Sequence, residues 1–182
     1  MKVLIVVDMQ KDFIEGALGT PEAVGMVPKV VNRIANSKGE LILFTRDTHA
    51  EDYLNTSEGR KLPAPHCIEG TEGWQINDAI WNAWRENKDT IIEASLDENT
   101  FNKPVFGSLE LVNFLKSKEN EITEIEILGV CTDICVISNT IMIKNTMPET
   151  KISVNANCCA GVTPKSHEEA INTMQMCQID VI

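Results

Sequence analysis

Short apolar runs alternate with amphipathic stretches along most of this chain. Six runs rich in Val and Ile are typical of buried strands: KVLIVVD, ELILFTRD, DTIIEAS, EIEILGV, KISVNAN and QIDVI. Apolar residues at helical spacing predict the helices PEAVGMVPKVVNRIANSKG, INDAIWNAWREN, SLELVNFLKSK, TDICVISNTIMIKN and TPKSHEEAINTMQM. The first helix contains Gly25 and Pro28, which both weaken a helix. This alternation predicts an α/β fold in which helices cover both faces of a six-stranded, mostly parallel sheet.

One long segment, residues 48–74, breaks the alternation. It is polar, is interrupted by Pro63, Pro65 and several glycines, and holds two of the three histidines, His49 and His66. A loop of this length in a compact domain is usually functional or disordered. The chain shows no internal repeat, low-complexity tract or linker, so we expect residues 1–182 to form a single domain.

Composition removes several functional classes. The chain has 182 residues and a net charge of −11, whereas a general nucleic-acid binder usually has a basic face. It has no apolar run long enough for a transmembrane helix. The apolar start MKVLIVVDMQ lacks a small-residue cleavage site and favours a buried strand over a signal peptide. We therefore expect a cytoplasmic protein with reduced cysteines and with no nucleic-acid or membrane partner.

Chemically active residues cluster where the predicted strands end. The strand ends carry Asp8 on the first strand, Asp47 and His49 on the second, Lys103 after the third, and GVCTDIC on the fourth. Ligands of open parallel sheets bind outside these carboxyl ends. No Gly-rich phosphate-binding motif follows any strand. The sequence therefore predicts a site at this edge that holds carboxylates, a lysine and cysteine.

The pair Cys131 and Cys135 has several interpretations. A zinc clip would need a second pair of suitable spacing, and Cys158 and Cys159 are adjacent. A disulfide is disfavoured in a reducing compartment. Packing of a buried helix start and catalysis by Cys135 both stay open. The four other cysteines lie in apolar or small-residue settings, and a buried core position is expected for each of them: Cys67, Cys158, Cys159 and Cys177.

The catalytic interpretation makes a local prediction. Thr132 or Asp133 would cap the helix with a side-chain oxygen and place Cys135 in its first turn. The helix dipole would then lower the pKa of the thiol, and backbone N–H groups could hold an oxyanion. Asp8 and Lys103 could serve as base and cation. In the alternative, Asp8 caps the turn after its strand and Lys103 is a solvated loop lysine.

Three separated motifs, VDMQKDF, KPVFGS and GVCTDICV, resemble those of the isochorismatase-like cysteine hydrolases, whose members include nicotinamidases. The resemblance extends over nearly the whole chain. It implies a doubly wound α/β fold and a catalytic triad of Asp8, Lys103 and Cys135. It also implies an oxyanion hole from the backbone N–H groups of Cys131 and Cys135, and a cis peptide bond between Val130 and Cys131.

A metal site is predicted beside the triad. Asp47 and His49 lie two apart on an extended strand end and point the same way, and His66 follows in the long loop. Such a set suits Zn²⁺ or a similar divalent ion, although loop histidines without a ligand are common. The three residues resemble the metal ligands of nicotinamidases, so we expect one divalent ion, zinc. Glu58 is the nearest candidate for a further ligand, at an offset that does not match cleanly.

The substrate wall is the least specific part of the resemblance. Phe13 matches an aromatic of the family's substrate wall, and Leu62 and Phe106 could complete an apolar slot. Pro63 stands three positions before His66, where many nicotinamidases have an aromatic residue.

The resemblance implies a small-molecule amide substrate, with nicotinamide hydrolysed to nicotinate and ammonia through a thioester. Two alternatives are a family hydrolase that acts on a vinyl ether or a carbamoyl group, and a catalytically silent scaffold. We also expect a homo-oligomer.

Overall fold

The computed structural model describes residues 1–87 and 96–182. Its sheet contains the strands Lys2–Val7 (β1), Leu41–Asp47 (β2), Thr100–Lys103 (β3), Glu124–Val130 (β4), Lys151–Ala160 (β5) and Asp180–Val181 (β6). The order is β3-β2-β1-β4-β5-β6, and neighbouring strands are parallel. The chain starts in the middle of the sheet and winds outward first to one side and then to the other, which confirms the doubly wound α/β fold.

The helices in the described residues are Lys11–Ile14 (α1), Pro21–Ala35 (α2), Ser57–Lys61 (α3), Asp78–Glu86 (α4), Leu96–Asn99 (α5), Leu109–Ser117 (α6), Ile137–Thr146 (α7) and Pro164–Met176 (α8). A 3-10 turn at Tyr53–Asn55 and a π-helical turn at Thr132–Val136 add to these. Right-handed crossovers place α2 and α4 on one face of the sheet and α6, α7 and α8 on the other. The contacts agree, because α2 packs on α4, and α7 packs on both α6 and α8. None of these helices is long and apolar enough to cross a membrane.

The third strand is where sequence and structure differ most. The predicted strand DTIIEAS falls at residues 89–95, outside the described residues. The sheet strand β3 is TFNK, a stretch the sequence placed in a loop. This edge strand is only four residues long, with Phe101 and Lys103 buried and Asn102 exposed. Three polar residues among four leave no apolar pattern to detect.

Helix α2 continues through Pro28 and ends at Ala35. Proline removes the hydrogen bond to the carbonyl four residues earlier. Here that residue is Val24, which is 50% exposed, so the released carbonyl lies on the solvent side of the helix. Pro21 at the first helical position and the Thr20 side chain, which accepts from the Ala23 N–H at 3.1 Å, fix the start of the helix.

The central strand β1 is buried on both faces and lies close against β4. Residues 3–7 are all at most 1% exposed, so β1 is covered on both faces as in other parallel sheets. Its neighbour β4 approaches it closely at Gly129, where an added Cβ would lie 2.1 Å from the Val7 carbonyl oxygen. Gly129 also has φ of 124°, which disfavours other residues. The peptide bond between Val130 and Cys131, at the end of β4, is cis.

Candidate active site and metal centre

Three predicted residues meet at the carboxyl ends of β1, β3 and β4. Lys103 Nζ lies 2.7 Å from Asp8 Oδ2 and 3.5 Å from Cys135 Sγ. Asp8 is fully buried, Lys103 is 1% exposed and Cys135 is 5% exposed. A solvated loop lysine is therefore excluded at position 103. A cation at contact distance from both a carboxylate and a thiol can stabilise negative charge on either one.

The Asp8 carboxylate is fixed by its neighbours rather than by the turn after its strand. Thr45 Oγ1 donates to Asp8 Oδ1 at 2.7 Å, and Lys103 occupies the other oxygen. The Asp8 backbone has φ of 49°, in the left-handed region that Asp tolerates better than most residues. The backbone thus turns away from β1 while the side chain stays in the cluster. The alternative role of Asp8, as a cap of the turn after its strand, is therefore excluded.

Burial governs the protonation of the nucleophile candidate. It raises the pKa of Cys135 well above the ordinary value, the charge of Asp8 acts in the same direction, and Lys103 offsets only part of this effect. The prediction that the helix dipole lowers this pKa is therefore wrong, because desolvation is the larger effect. Burial also raises the pKa of Asp8, against the opposing charge of Lys103. The resting site pairs a protonated thiol with a carboxylate that is a stronger base than usual.

The turn that carries Cys135 is not capped as predicted. It begins at Cys131 without any side-chain cap and forms the π-helical turn Thr132–Val136 before α7. The Thr132 hydroxyl lies 2.8 Å from His167 Nδ1, and Asp133 accepts the Val162 N–H at 3.2 Å. Both side chains are therefore bound to the segment around the start of α8. We call Cys131 to Cys135 the nucleophile turn.

The predicted metal ligands also come together. One ligand atom from each of Asp47, His49 and His66 lies within 4.8 Å of the others, and all three side chains are buried. His49 Nε2 lies 2.9 Å from Asp47 Oδ2, and His66 Nε2 lies 3.5 Å from the same oxygen. His49 Nε2 is buried and has no hydrogen-bond partner of good geometry among the described residues. An orphaned ring nitrogen beside a carboxylate and a second imidazole fits a divalent ion.

Surrounding groups orient these ligands. His66 Nδ1 lies 2.8 Å from the Ala64 carbonyl, so it donates there and leaves Nε2 for a metal. Glu58 Oε1 lies 3.7 Å from His49 Nε2 and 3.8 Å from His66 Nε2. Helix α3 thus brings Glu58 close to the metal cluster, although the sequence offset alone did not identify it as a ligand.

Asp47 links the metal cluster to the triad. Its Oδ1 lies 3.2 Å from Lys103 Nζ, while its Oδ2 faces His49 and His66. Burial alone would raise the pKa of Asp47, but the close contacts of its carboxylate with the two histidine rings and the charge of Lys103 outweigh it and lower this pKa. The carboxylate is therefore ionised and available to a cation on either side.

Two supporting residues were missed by the sequence analysis. The fully buried Gln10 accepts from the Asp47 N–H at 2.7 Å and donates to the Asp47 carbonyl at 2.8 Å. Asp12 accepts the Cys67 N–H at 2.8 Å and so holds the residue after His66. Both lie in the motif VDMQKDF, and the available signal was the group of polar residues within five positions of the end of the first strand.

A cavity of about 680 Å³ opens over both clusters. Cys131, Cys135, Asp47, His49, Glu58 and His66 line it. The three predicted wall residues also line it: Phe13 is 8% exposed, whereas Leu62 and Phe106 are 40% and 46% exposed near the mouth. Phe13 packs against His66 with ring centroids 5.4 Å apart. The cavity is mostly apolar with a few convergent polar groups, as is typical of small-molecule sites.

Comparison with known proteins agrees with this arrangement. The model of the Isochorismatase domain family matches residues 2–182, and the chain therefore belongs to that family. The nicotinamidase of Schizosaccharomyces pombe is 26% identical over 212 residues, covering 98% of this chain and 91% of the relative.

Two solved structures have the same fold. The pyrazinamidase of Pyrococcus horikoshii in complex with zinc is 26% identical, with a TM-score of 0.76 over 100% of this chain and 98% of its own. The nicotinamidase/pyrazinamidase of Bacillus subtilis is 26% identical, with a TM-score of 0.80 over 99% of this chain and 98% of its own.

Proposed function

We propose that this chain is a nicotinamidase-like amidohydrolase that converts nicotinamide to nicotinate and ammonia. The observation that carries the proposal is the meeting of two clusters in one cavity. Asp8, Lys103 and Cys135 supply a base, a cation and a nucleophile, while Asp47 and the two histidines lie beside them. The family membership and the nicotinamidase relative support the same activity.

Acylation begins with the protonated thiol. Cys135 Sγ attacks the carboxamide carbon while its proton passes to Asp8, whose raised pKa makes it a competent base. Lys103, in contact with both side chains, stabilises the charge that remains after each transfer. The backbone N–H groups of Cys131 and Cys135 hold the developing oxyanion.

Collapse of the tetrahedral intermediate breaks the C–N bond. Asp8 returns the proton to the leaving nitrogen, so ammonia departs as a neutral molecule and a thioester on Cys135 remains. Water then adds to the thioester and gives one proton to Asp8, and collapse releases nicotinic acid, which loses its remaining proton to solvent as nicotinate. Asp8 finally reprotonates the thiolate. A positioned acid and base of this kind contributes roughly 10²–10⁴-fold to the rate.

Asp47, His49 and His66 would hold one divalent ion, and Glu58 lies close enough to join them. When bound, such an ion supplies a Lewis acid for the ring nitrogen of the substrate. Zinc is our proposal, because nitrogen and oxygen ligands suit it and the P. horikoshii pyrazinamidase is solved with zinc. Phe13, Leu62 and Phe106 form the apolar walls of the ring site.

The decisive experiment is ammonia release from a panel of small amides, with and without chelator. The panel contains nicotinamide, pyrazinamide, benzamide, an aliphatic amide and a carbamoyl compound. Nicotinamide turnover that chelator suppresses and zinc restores supports the proposal. Activity on the carbamoyl compound alone would assign the chain to another branch of the family, and no turnover would favour a scaffold.

Three further expectations stay predictions. Residues 1–182 are proposed as one domain, consistent with the extent of the family match. A homo-oligomer without a nucleic-acid or membrane partner is expected, and sedimentation equilibrium would measure its size. A role in NAD salvage follows from nicotinate production if the activity holds.

A further inference from the structure

His167 is the one histidine of the chain that the proposed mechanism does not use. It lies in the first turn of α8, and its Nδ1 is 2.8 Å from the Thr132 hydroxyl. Thr132 is fully buried and immediately follows Cys131 in the nucleophile turn. A buried hydroxyl that loses its hydrogen-bond partner is left desolvated without compensation, which is unfavourable. The contact therefore ties the turn firmly to α8.

A second hydrogen bond joins the nucleophile turn to the loop directly before α8. The Asp133 carboxylate accepts the Val162 N–H at 3.2 Å from Oδ1 and 3.3 Å from Oδ2. Thr132 and Asp133 are consecutive, and both lie between Cys131 and Cys135, the two proposed oxyanion donors. Val162 itself lines the cavity, so the same contact sets part of the substrate wall.

The start of α8 is a rigid support for these bonds. Thr163 caps the helix in a capping box with Ser166, and Pro164 occupies the first helical position. Gly161 lets the chain enter closely, because an added Cβ there would lie 2.9 Å from the His167 backbone nitrogen. His167 cannot shift without disturbing this capped turn.

The charge state of His167 suits a hydrogen-bonding role. Burial lowers its pKa, against the nearby charges of Asp133 and Glu168. The ring is thus neutral at neutral pH and shares one hydrogen with the Thr132 hydroxyl. His167 is not among the described residues that line the cavity, so it does not contact a substrate bound there.

We infer that His167 is a positioning residue that holds the nucleophile turn, through Thr132, in the geometry that aims the backbone N–H groups of Cys131 and Cys135 at the oxyanion. This inference rests on the proposed function for its kinetic consequence. Loss of a single oxyanion donor typically costs about 10²–10³ in kcat. Displacement of the two oxyanion donors should lower kcat by less than the loss of a donor does. Binding of the substrate ring to the apolar cavity wall should be unaffected.

The test compares His167→Ala with His167→Asn, whose amide can occupy the place of Nδ1. We expect His167→Ala to lower kcat on nicotinamide by about tenfold with KM nearly unchanged, and His167→Asn to recover most of the loss. Thr132→Val and Thr132→Ser form a second pair with the same expectation. Thr173→Val is the matched control, because Thr173 is an exposed residue of α8 whose hydroxyl, among the described residues, donates to the Glu169 carbonyl alone.

A purely structural role has a different signature. In that case His167→Ala would lower the melting temperature but leave kcat per folded molecule unchanged, and the inference would be overturned. If the wild-type protein fails to hydrolyse nicotinamide, the proposed function falls. The inference is then decided by the rate at which iodoacetamide labels Cys135. That rate should change several-fold in His167→Ala and return in His167→Asn, and an unchanged rate overturns the inference.

Discussion

Lys103 Nζ lies 2.7 Å from Asp8 Oδ2, and both side chains are almost fully removed from solvent. Burial alone would lower the pKa of Lys103, but attraction to Asp8, Cys135 and Asp47 outweighs it and raises this pKa. The lysine is therefore a permanent cation at the centre of the site. An ion pair so deeply buried is weak support for a purely stabilising role, since its desolvation opposes its attraction.

The first prediction is that Asp8 and Lys103 act as one unit with Cys135. Asp8→Asn and Lys103→Met should each lower kcat by roughly 10²–10⁴-fold, and the double variant should be little worse than either single one. Steady-state kinetics on nicotinamide measure this, with circular dichroism and thermal melts to show that each variant is folded. Losses that multiply in the double variant would show that the two residues contribute independently.

The second prediction concerns the protonation of Cys135. Because its folded pKa is raised above the ordinary value of 9.0, the reactive thiolate is scarce at neutral pH. Its labelling rate with iodoacetamide should therefore keep rising as pH increases through and beyond 9.0. Peptide mass spectrometry separates Cys135 from the other cysteines, and glutathione serves as a thiol of ordinary pKa.

Lys103→Met sharpens this test, because the lysine lowers the pKa of Cys135. Without the cation, labelling at a given pH should become slower. A labelling rate that reaches a plateau near neutral pH would mean a thiolate at rest and would contradict the proposed transfer of the proton to Asp8.

Part of the site could be predicted from the sequence and part could not. Asp8 and the two cysteines could be placed at one edge because they follow strands with clear apolar runs, and carboxyl ends of parallel strands share an edge. Lys103 was placed there from the apolar run predicted before it, whereas the strand that carries it is Thr100–Lys103. The side-chain contacts of Thr132 and Asp133 could not be predicted. The sequence predicted local helix capping, but both side chains bind partners about 30 residues later in the chain. Thr132 contacts His167 of α8, and Asp133 accepts from Val162 in the loop before that helix, so only the tertiary fold brings them together.

The position of Glu58 and the strand β3 could not be predicted for the same reason, since both depend on tertiary contacts. Glu58 reaches the histidines because the short helix α3 folds back over the sheet edge, and spacing in a polar loop carries no signal for that. Strand β3 is held mainly by its pairing with β2, so its four residues need little apolar character of their own.

The third prediction is that the purified protein binds one divalent ion through Asp47, His49 and His66. His49→Ala should remove the ion, measured by elemental analysis, and should raise KM for nicotinamide more than it lowers the melting temperature. Glu51→Gln, an exposed acid in the same loop, is the control and should retain the ion. Full metal content in His49→Ala would place the ion elsewhere.

The fourth prediction concerns selectivity for the ring nitrogen. Pro63 stands where the resemblance to nicotinamidases implies an aromatic residue, and it is not part of the described cavity lining. Recognition therefore depends more on the ring nitrogen than on stacking. Benzamide should be turned over at least about tenfold less efficiently than nicotinamide, equivalent to roughly 1.4 kcal/mol. Comparable kcat/KM values for the two amides would show that the nitrogen is not recognised.

The central claim is that Cys135 carries a covalent acyl intermediate during amide hydrolysis. Acid quenching of the protein during nicotinamide turnover, followed by peptide mass spectrometry, tests it most directly. The account predicts a nicotinoyl thioester on Cys135, absent in Cys135→Ala, which should release no ammonia, and still formed in Cys131→Ser, which should keep measurable activity. An adduct on Cys131 instead, or sustained ammonia release by Cys135→Ala, would contradict it.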